Sequence, residues 1–267
     1  MKKYRRVLTI AGSDCGGGAG IQADLKTFSA NGCYGMSVIA ALTAQNTVEV
    51  TGIFPVPPEF VAQQIDAVMT DIGVDAVKIG MLHSPDLIAV VAERLTHYQV
   101  KNIVVDPVMI SKSGARLLQR DAVEALKTRL FPLAALITPN LPEASDILGR
   151  PVEKAEDMEA ACRDLAACGP RAVLLKGGHL GGGYSPDVLY AEGAFLSLPG
   201  TRIETCNTHG TGCTLSSAIA AGLAKGMDTA SAVKAAKQYI SDAIEAGARY
   251  RIGKGHGPVH HYYAFWD

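Results

Sequence analysis

The sequence predicts an α/β fold: a mainly parallel central sheet with helices on both faces and antiparallel strands at its edges. Two observations carry this. Short, continuous runs of apolar and β-branched residues recur along the chain, the pattern of strands buried on both faces. Most are followed by a less hydrophobic stretch with helical spacing, so strand and helix alternate as parallel crossovers require. No fixed-period repeat, low-complexity tract or linker interrupts the chain, and residues 1–267 are read as one domain.

The strand runs are, in order, RVLTIAG, SVIAAL, DAVKIGM, NIVVDPV, AALITPN and AVLLKGG. Helices are expected at residues 58–71, 85–98, 120–131 and 154–169. GGGAGIQADLK, Gly16 to Lys26, leaves the first strand and opens another helix, and the small apolar residues of HGTGCTLSSAIAAG open one more near Thr211. Two pieces break the alternation. Asn46 to Pro57 (NTVEVTGIFPVP) and Asp187 to Gly200 (DVLYAEGAFLSLPG, a hairpin around AEG) are read as antiparallel edge strands.

A formal net charge of −1 and a pI near 6.7 give no electrostatic reason to expect nucleic acid or an anionic membrane as partner. A small ligand is expected instead. The opening MKKYRRVLTIAGSDC imitates a secretory signal, but its apolar run is shorter than the ~7 to 15 residues of a true one and meets Asp14 at once. No run approaches the ~18 apolar residues of a membrane span, so a cytoplasmic location is expected. Six cysteines without a signal read as reduced thiols, and no CxxC pair supports zinc.

In open α/β sheets ligands bind beyond the carboxyl ends of the strands. Polar or unusual groups stand at those ends here: Asp14, Gln45 and Asn46, Met81 and His83, Asp106, Thr138 and Asn140, and Lys176. Gly18, Gly20 and Ala23 satisfy a GxGxxA dinucleotide fingerprint, but the ribose-binding acid is replaced by Gln45 and Asn46, and no GxxxxGK[ST] loop occurs. Gly210, Thr211 and Gly212 are the stronger signal. Their backbone amides, with the positive end of the following helix, suit an anion such as a transferring phosphoryl group. Lys176 can supply a cation, and Asp106 or Glu143 can hold Mg2+, directly or through water. These are the parts of a kinase without a P-loop. Cys213, at the start of that helix, is expected to have a lowered pKa and to serve as proton acceptor or polar contact. Asp24 is read as the polar face of a helix start and left out of the site. His256, His260 and His261 lack accompanying carboxylates or cysteines and are read as a surface tail.

These motifs resemble the ribokinase superfamily: GTGC is similar to its GTGD anion-hole motif with cysteine at the base position, and TPNLPE to its NxxE magnesium element. AGSDCGGGAGIQADLKTFSANGCYGMSVIAALTAQNT, KIGML, VVDPVMISKSG, LITPNLPEA, LLKGGH, THGTGCTLSSAIAA and GKGHGPVHH narrow the resemblance to the hydroxymethylpyrimidine/phosphomethylpyrimidine kinases of thiamine biosynthesis, over about residues 7 to 261. The resemblance implies a ribokinase-like fold and two successive transfers from ATP, with Mg2+, in one site. The pyrimidine would be contacted by Ala19, Gly20, Gln45, Met81, Val108 and Cys213, and the nucleotide side held by Asp106, Thr138, Asn140 and Lys176. Gln45 makes independent sense, because its amide can accept from an exocyclic amine and donate to the neighbouring ring nitrogen. A pyridoxal or pyridoxine kinase, a dual-specificity vitamin kinase and a non-catalytic sensor are the alternatives, and a homodimer is left open.

Overall fold

The structure is a computed structural model, described for residues 2–109, 121–178, 180 and 186–266. Ile110 to Gly114 of the VVDPVMISKSG motif, Arg120 and His179 lie outside the described residues. Strand β1 (Arg6–Gly12) pairs in parallel with β2 (Tyr34–Gln45) on one side and with β4 (Ala76–Ile79) on the other. Then β5 (Ile103–Val105), β6 (Leu136–Ile137) and β7 (Ala172–Leu175) continue in parallel. The expected edge strands are present. β3 (Val50–Pro55) runs antiparallel to β2, and β8 (Asp187–Ala191) with β9 (Ala194–Leu198) forms an antiparallel hairpin on the far edge. The order is β3-β2-β1-β4-β5-β6-β7-β8-β9.

Side chains alternate between two cores, as the period of a strand requires. Leu8 and Ile10 of β1 join a core with α2 (Pro58–Asp71), α3 (Pro85–His97), α4 (Ala122–Ala125), α5 (Leu141–Leu148) and α6 (Met158–Ala166). Val7 faces the other core, built by α1 (Gly20–Ala30), α7 (Thr211–Ala224) and α8 (Thr229–Gly247). The helix expected over 120–131 is shorter than its pattern. After α4 it widens into one π turn, Leu126–Leu130, and ends in a 3-10 turn, Phe131–Leu133, where Pro132 has no amide hydrogen to continue an α-helix. The 154–169 helix likewise becomes regular only at Met158, behind a 3-10 turn. The sequence reading offers no element for α8.

Two expectations about polar residues are corrected by burial. Asp24 is fully buried on α1, bonded to Lys78 Nζ (2.9 Å to both oxygens), Thr9 Oγ1 (2.6 Å) and Ser217 Oγ (2.7 Å). The C-terminal segment is no surface tail. His260 and His261 are buried against α7 and α8, where the His260 amide donates to the Ala243 carbonyl and His261 Nε2 meets Thr214 Oγ1 at 3.1 Å. Only His256 of the three is exposed. Among the described residues no helix is long and apolar enough to cross a membrane, and the six cysteines are free.

Candidate active site

The order of strands places the site. From β1 the chain steps outward to β2 and β3, then returns past β1 to β4, so the direction of winding reverses between β1 and β4. Crossovers on opposite faces leave a crevice at the carboxyl ends there. Met81 closes its floor against Gly12, where any side chain would meet the Met81 methyl group.

One wall is the Gly16–Gly20 loop. The buried Asp14 carboxylate accepts from the amides of Gly16 (2.8 Å), Gly18 (3.0 Å) and Ala19 (2.8 Å), and so organises the entry to α1. His209 Nε2 joins the same carboxylate at 2.8 Å. Burial pushes the Asp14 carboxyl up, but the bonds from His209 and the loop amides hold it below the usual carboxylate range. Facing this loop is the start of α7. Gly210 has φ +80°, and a side chain there would overlap the Gly18 carbonyl, so glycine alone permits the approach of the two loops. No side chain caps α7; the Thr211 amide makes a long 3.5 Å bond to the Thr208 carbonyl, and the amides of Gly212 and Cys213 are available to an anion.

The opposite wall comes from β5, β6 and β7. Lys176 Nζ donates to Asp106 Oδ1 at 2.9 Å, and Thr138 Oγ1 donates to the same oxygen at 3.0 Å. Gly212 lies against this pair: a Cβ there would stand 3.4 Å from Asp106 Oδ2 and 3.5 Å from Lys176 Nζ. The loop's amides and a fixed cation therefore converge on one small volume. Burial pushes the Asp106 carboxyl up, but Lys176 and Lys78 hold it below its ordinary value. Burial draws the Lys176 ammonium down, yet Asp106 and Glu143 keep it above its own. The pair is ionised. Asn140 and Glu143 form a capping box at the start of α5, in which Asn140 Oδ1 accepts from the Glu143 amide (2.9 Å) and Glu143 Oε2 from the Asn140 amide (2.8 Å). Burial raises the Glu143 carboxyl to about 7, although Lys176 opposes it.

The site residues named from sequence thus fall into two groups around one crevice. Gly212, Asp106, Thr138 and Lys176 meet directly, with Gly210 and Thr211 beside Gly212 in the same loop, whereas the side chain of Asn140 is spent on its helix cap. Gln45 leaves β2 half-buried, 3.4 Å from His209. Ala19, Gly20 and Val108 line the same end of the sheet and are also half-buried. The expected lowering of the Cys213 pKa is not found. Burial raises the thiol to about 11, with Asp24 and Asp106 adding to it against Lys78, so desolvation outweighs the helix terminus. His209 and Lys78 were missed by the sequence reading. His209 stood in the quoted loop, but its partner Asp14 lies 195 residues away.

The phosphomethylpyrimidine kinase family matches residues 14–260. The chain is 50% identical over 267 residues, the full length of both, to the hydroxymethylpyrimidine/phosphomethylpyrimidine kinase of Escherichia coli strain K12. It is 54% identical over 261 residues to the thiamine biosynthesis bifunctional protein ThiED of Geobacter sulfurreducens, covering 98% of this chain but about half, 53%, of that protein. Among solved structures it resembles an ADP complex of Bacillus subtilis pyridoxal kinase, with a TM-score of 0.91, 38% identity, and coverage of 99% of this chain and 100% of the other.

Proposed function

This chain belongs to the phosphomethylpyrimidine kinase family, and from that premise we propose that its crevice phosphorylates 4-amino-5-hydroxymethyl-2-methylpyrimidine twice, with ATP as donor. The observation that supports this most is the convergence of the uncapped α7 amides with the Asp106–Lys176 pair. In the first transfer the hydroxymethyl oxygen bonds to the γ-phosphorus as the bond from phosphorus to the β–γ bridging oxygen breaks. ADP leaves with that oxygen, and the alcohol proton passes to a base. In the second, an oxygen of the monophosphate attacks in the same way, and being already ionised it needs no base.

The chain's own groups divide this work. Amides at Gly210 to Gly212 and the Lys176 ammonium stabilise charge on the transferring group. Asp106 holds Lys176 in place and, with Glu143, would hold Mg2+, whose part is to neutralise phosphate charge. Their fit to a hard cation is physical: both are buried oxygen donors, and the Glu143 carboxyl, raised to about 7, carries a burial cost that a cation would relieve. Gln45 reads the amine and ring-nitrogen edge of the pyrimidine, with Met81, Val108, Ala19 and Gly20 around it. Cys213, in its thiolate form, receives the alcohol proton, which a loose transition state releases late.

The pyridoxal kinase among the structural neighbours keeps a second substrate in view. One coupled assay of ADP release, with the aminopyrimidine alcohol and pyridoxine in parallel, separates the readings. Turnover of the pyrimidine to its diphosphate with a much lower rate on pyridoxine is expected. Preference for pyridoxine would reject the assignment.

A further inference from the structure

A side-chain amide recognises a ring only if its oxygen and nitrogen face the right way, so something must set the polarity of Gln45. Two contacts do. His209 Nε2 stands 2.8 Å from Asp14 Oδ2 and 3.4 Å from Gln45 Nε2. An ionised carboxylate can only accept, so His209 Nε2 carries the hydrogen and has no lone pair to offer an amide NH2. Asp14 is ionised, held below the usual carboxylate range by His209 and the loop amides despite its burial. On the other side, Thr43 Oγ1 donates to the Ser13 carbonyl at 2.7 Å and lies 3.2 Å from Gln45 Oε1. Its one hydrogen is spent on Ser13, so toward Gln45 it can only accept. As placed, both contacts set like against like. A half-turn of the terminal amide removes both mismatches: the NH2 donates to Thr43 Oγ1, and Oε1 takes the His209 side, where the ring hydrogen, already given to Asp14, attracts an oxygen and repels an NH2.

We propose that Asp14, His209 and Thr43 set the polarity of the Gln45 amide and are thereby specificity-determining positioning residues for the pyrimidine ring. Once so paired, Gln45 keeps one lone pair on Oε1 and one free N–H on Nε2. That remaining acceptor and donor complement an exocyclic amine beside an unprotonated ring nitrogen. A ring lacking the amine would leave the oxygen unpaired in a desolvated crevice. The relay joins two strand ends and a helix start: Ser13 and Asp14 follow β1, Thr43 and Gln45 end β2, and His209 precedes α7. The inference rests on the reading that Gln45 faces the ring.

The test is binding without nucleotide, comparing the 4-aminopyrimidine alcohol with its analogue lacking the 4-amino group. The proteins are the unsubstituted chain, His209→Phe, Thr43→Val, Gln45→Leu and the two double variants containing Gln45→Leu. Each of His209→Phe and Thr43→Val is expected to cut the preference for the amino compound about ten-fold. Gln45→Leu should remove it, and the doubles should discriminate no less than Gln45→Leu alone. Thr43→Val leaves the Asp14–His209 contact intact, so it reads the polarity free of any loosening of the glycine loop. Unchanged preference in both single variants would overturn the proposal. So would a loss of the same factor in the Gln45→Leu background, which would mean action by another route. A full preference retained in Gln45→Leu would reject the reading of Gln45 itself.

Discussion

At the scale of single residues, the site is decided by which charges burial leaves in place. Lys176 is ionised beside Asp106 and faces the anion loop. Lys176→Ala is expected to lower turnover with ATP by about 10²-fold or more, in the range of a lost charge-stabilising donor. Pyrimidine binding measured without nucleotide should stay near its original value, and equal weakening of both would remove Lys176 from the phosphate side. Cys213 behaves differently because its thiol is raised to about 11. At neutral pH the thiolate is the minor form, and it grows about ten-fold per pH unit below that value. If Cys213 takes the alcohol proton, the rate of the first transfer should rise with pH from about 7 to 9 relative to the second. The ratio of the two steps cancels titrations common to both, such as that of Glu143. Cys213→Ala should abolish the slope and lower the first transfer by about 10²-fold. A flat ratio, with equal losses in both steps, would show that Cys213 positions the ring or loop.

At the scale of elements, α7 carries the anion loop, and its opening is held from outside the helix. Asn207 Nδ2 donates to the carbonyls of Gly247 (2.7 Å) and Tyr250 (2.6 Å), and the His209 amide to the Gly257 carbonyl (3.0 Å). The C-terminal segment thus fastens the loop to α8. Burial pushes His261 down to about 3, so it is neutral where it meets Thr214 and adds no charge beside the site. Asn207→Ala takes the donor from both carbonyls, and although Gly247 keeps the Tyr250 amide at 3.1 Å, the Tyr250 carbonyl is stranded, which should cost about 1–3 kcal/mol of stability. Urea denaturation measures it. A midpoint unchanged from the unsubstituted chain would mean that these carbonyls find other donors.

At the scale of the whole molecule, one buried ion pair joins the sheet to the helices that carry the site. Lys78 of β4 and Asp24 of α1 are both inaccessible to solvent, and Thr9 of β1 and Ser217 of α7 complete their bonding. Burial would lower the Lys78 ammonium, but Asp24 foremost holds it above its ordinary value. Lys78→Met leaves Asp24 charged and unpaired in the core, and a loss of about 3–5 kcal/mol is expected in unfolding free energy. The double variant Asp24→Leu, Lys78→Met should recover most of it. A small effect of the single change would mean that the Thr9 and Ser217 hydroxyls suffice to hold Asp24 without Lys78.

The order of strands and helices was legible in the sequence because it is written in local periodicity: RVLTIAG became β1 and PEFVAQQIDAVMTD became α2 at the same boundaries. The anion loop was legible for a similar reason, since glycines and a helix start lie within a few residues of one another. Asp106 and Lys176 could be named singly from their strand ends, but their 2.9 Å contact spans 70 residues and exists only because β5 and β7 flank β6. The tertiary structure alone decided that Asp24 is a buried anion, that the C-terminal histidines are packed inside, and that the Cys213 thiol is raised. Each of these depends on the solvent that distant segments exclude. Local sequence sets dihedral preference and apolar pattern; desolvation and charge pairing are set by whatever the fold brings alongside.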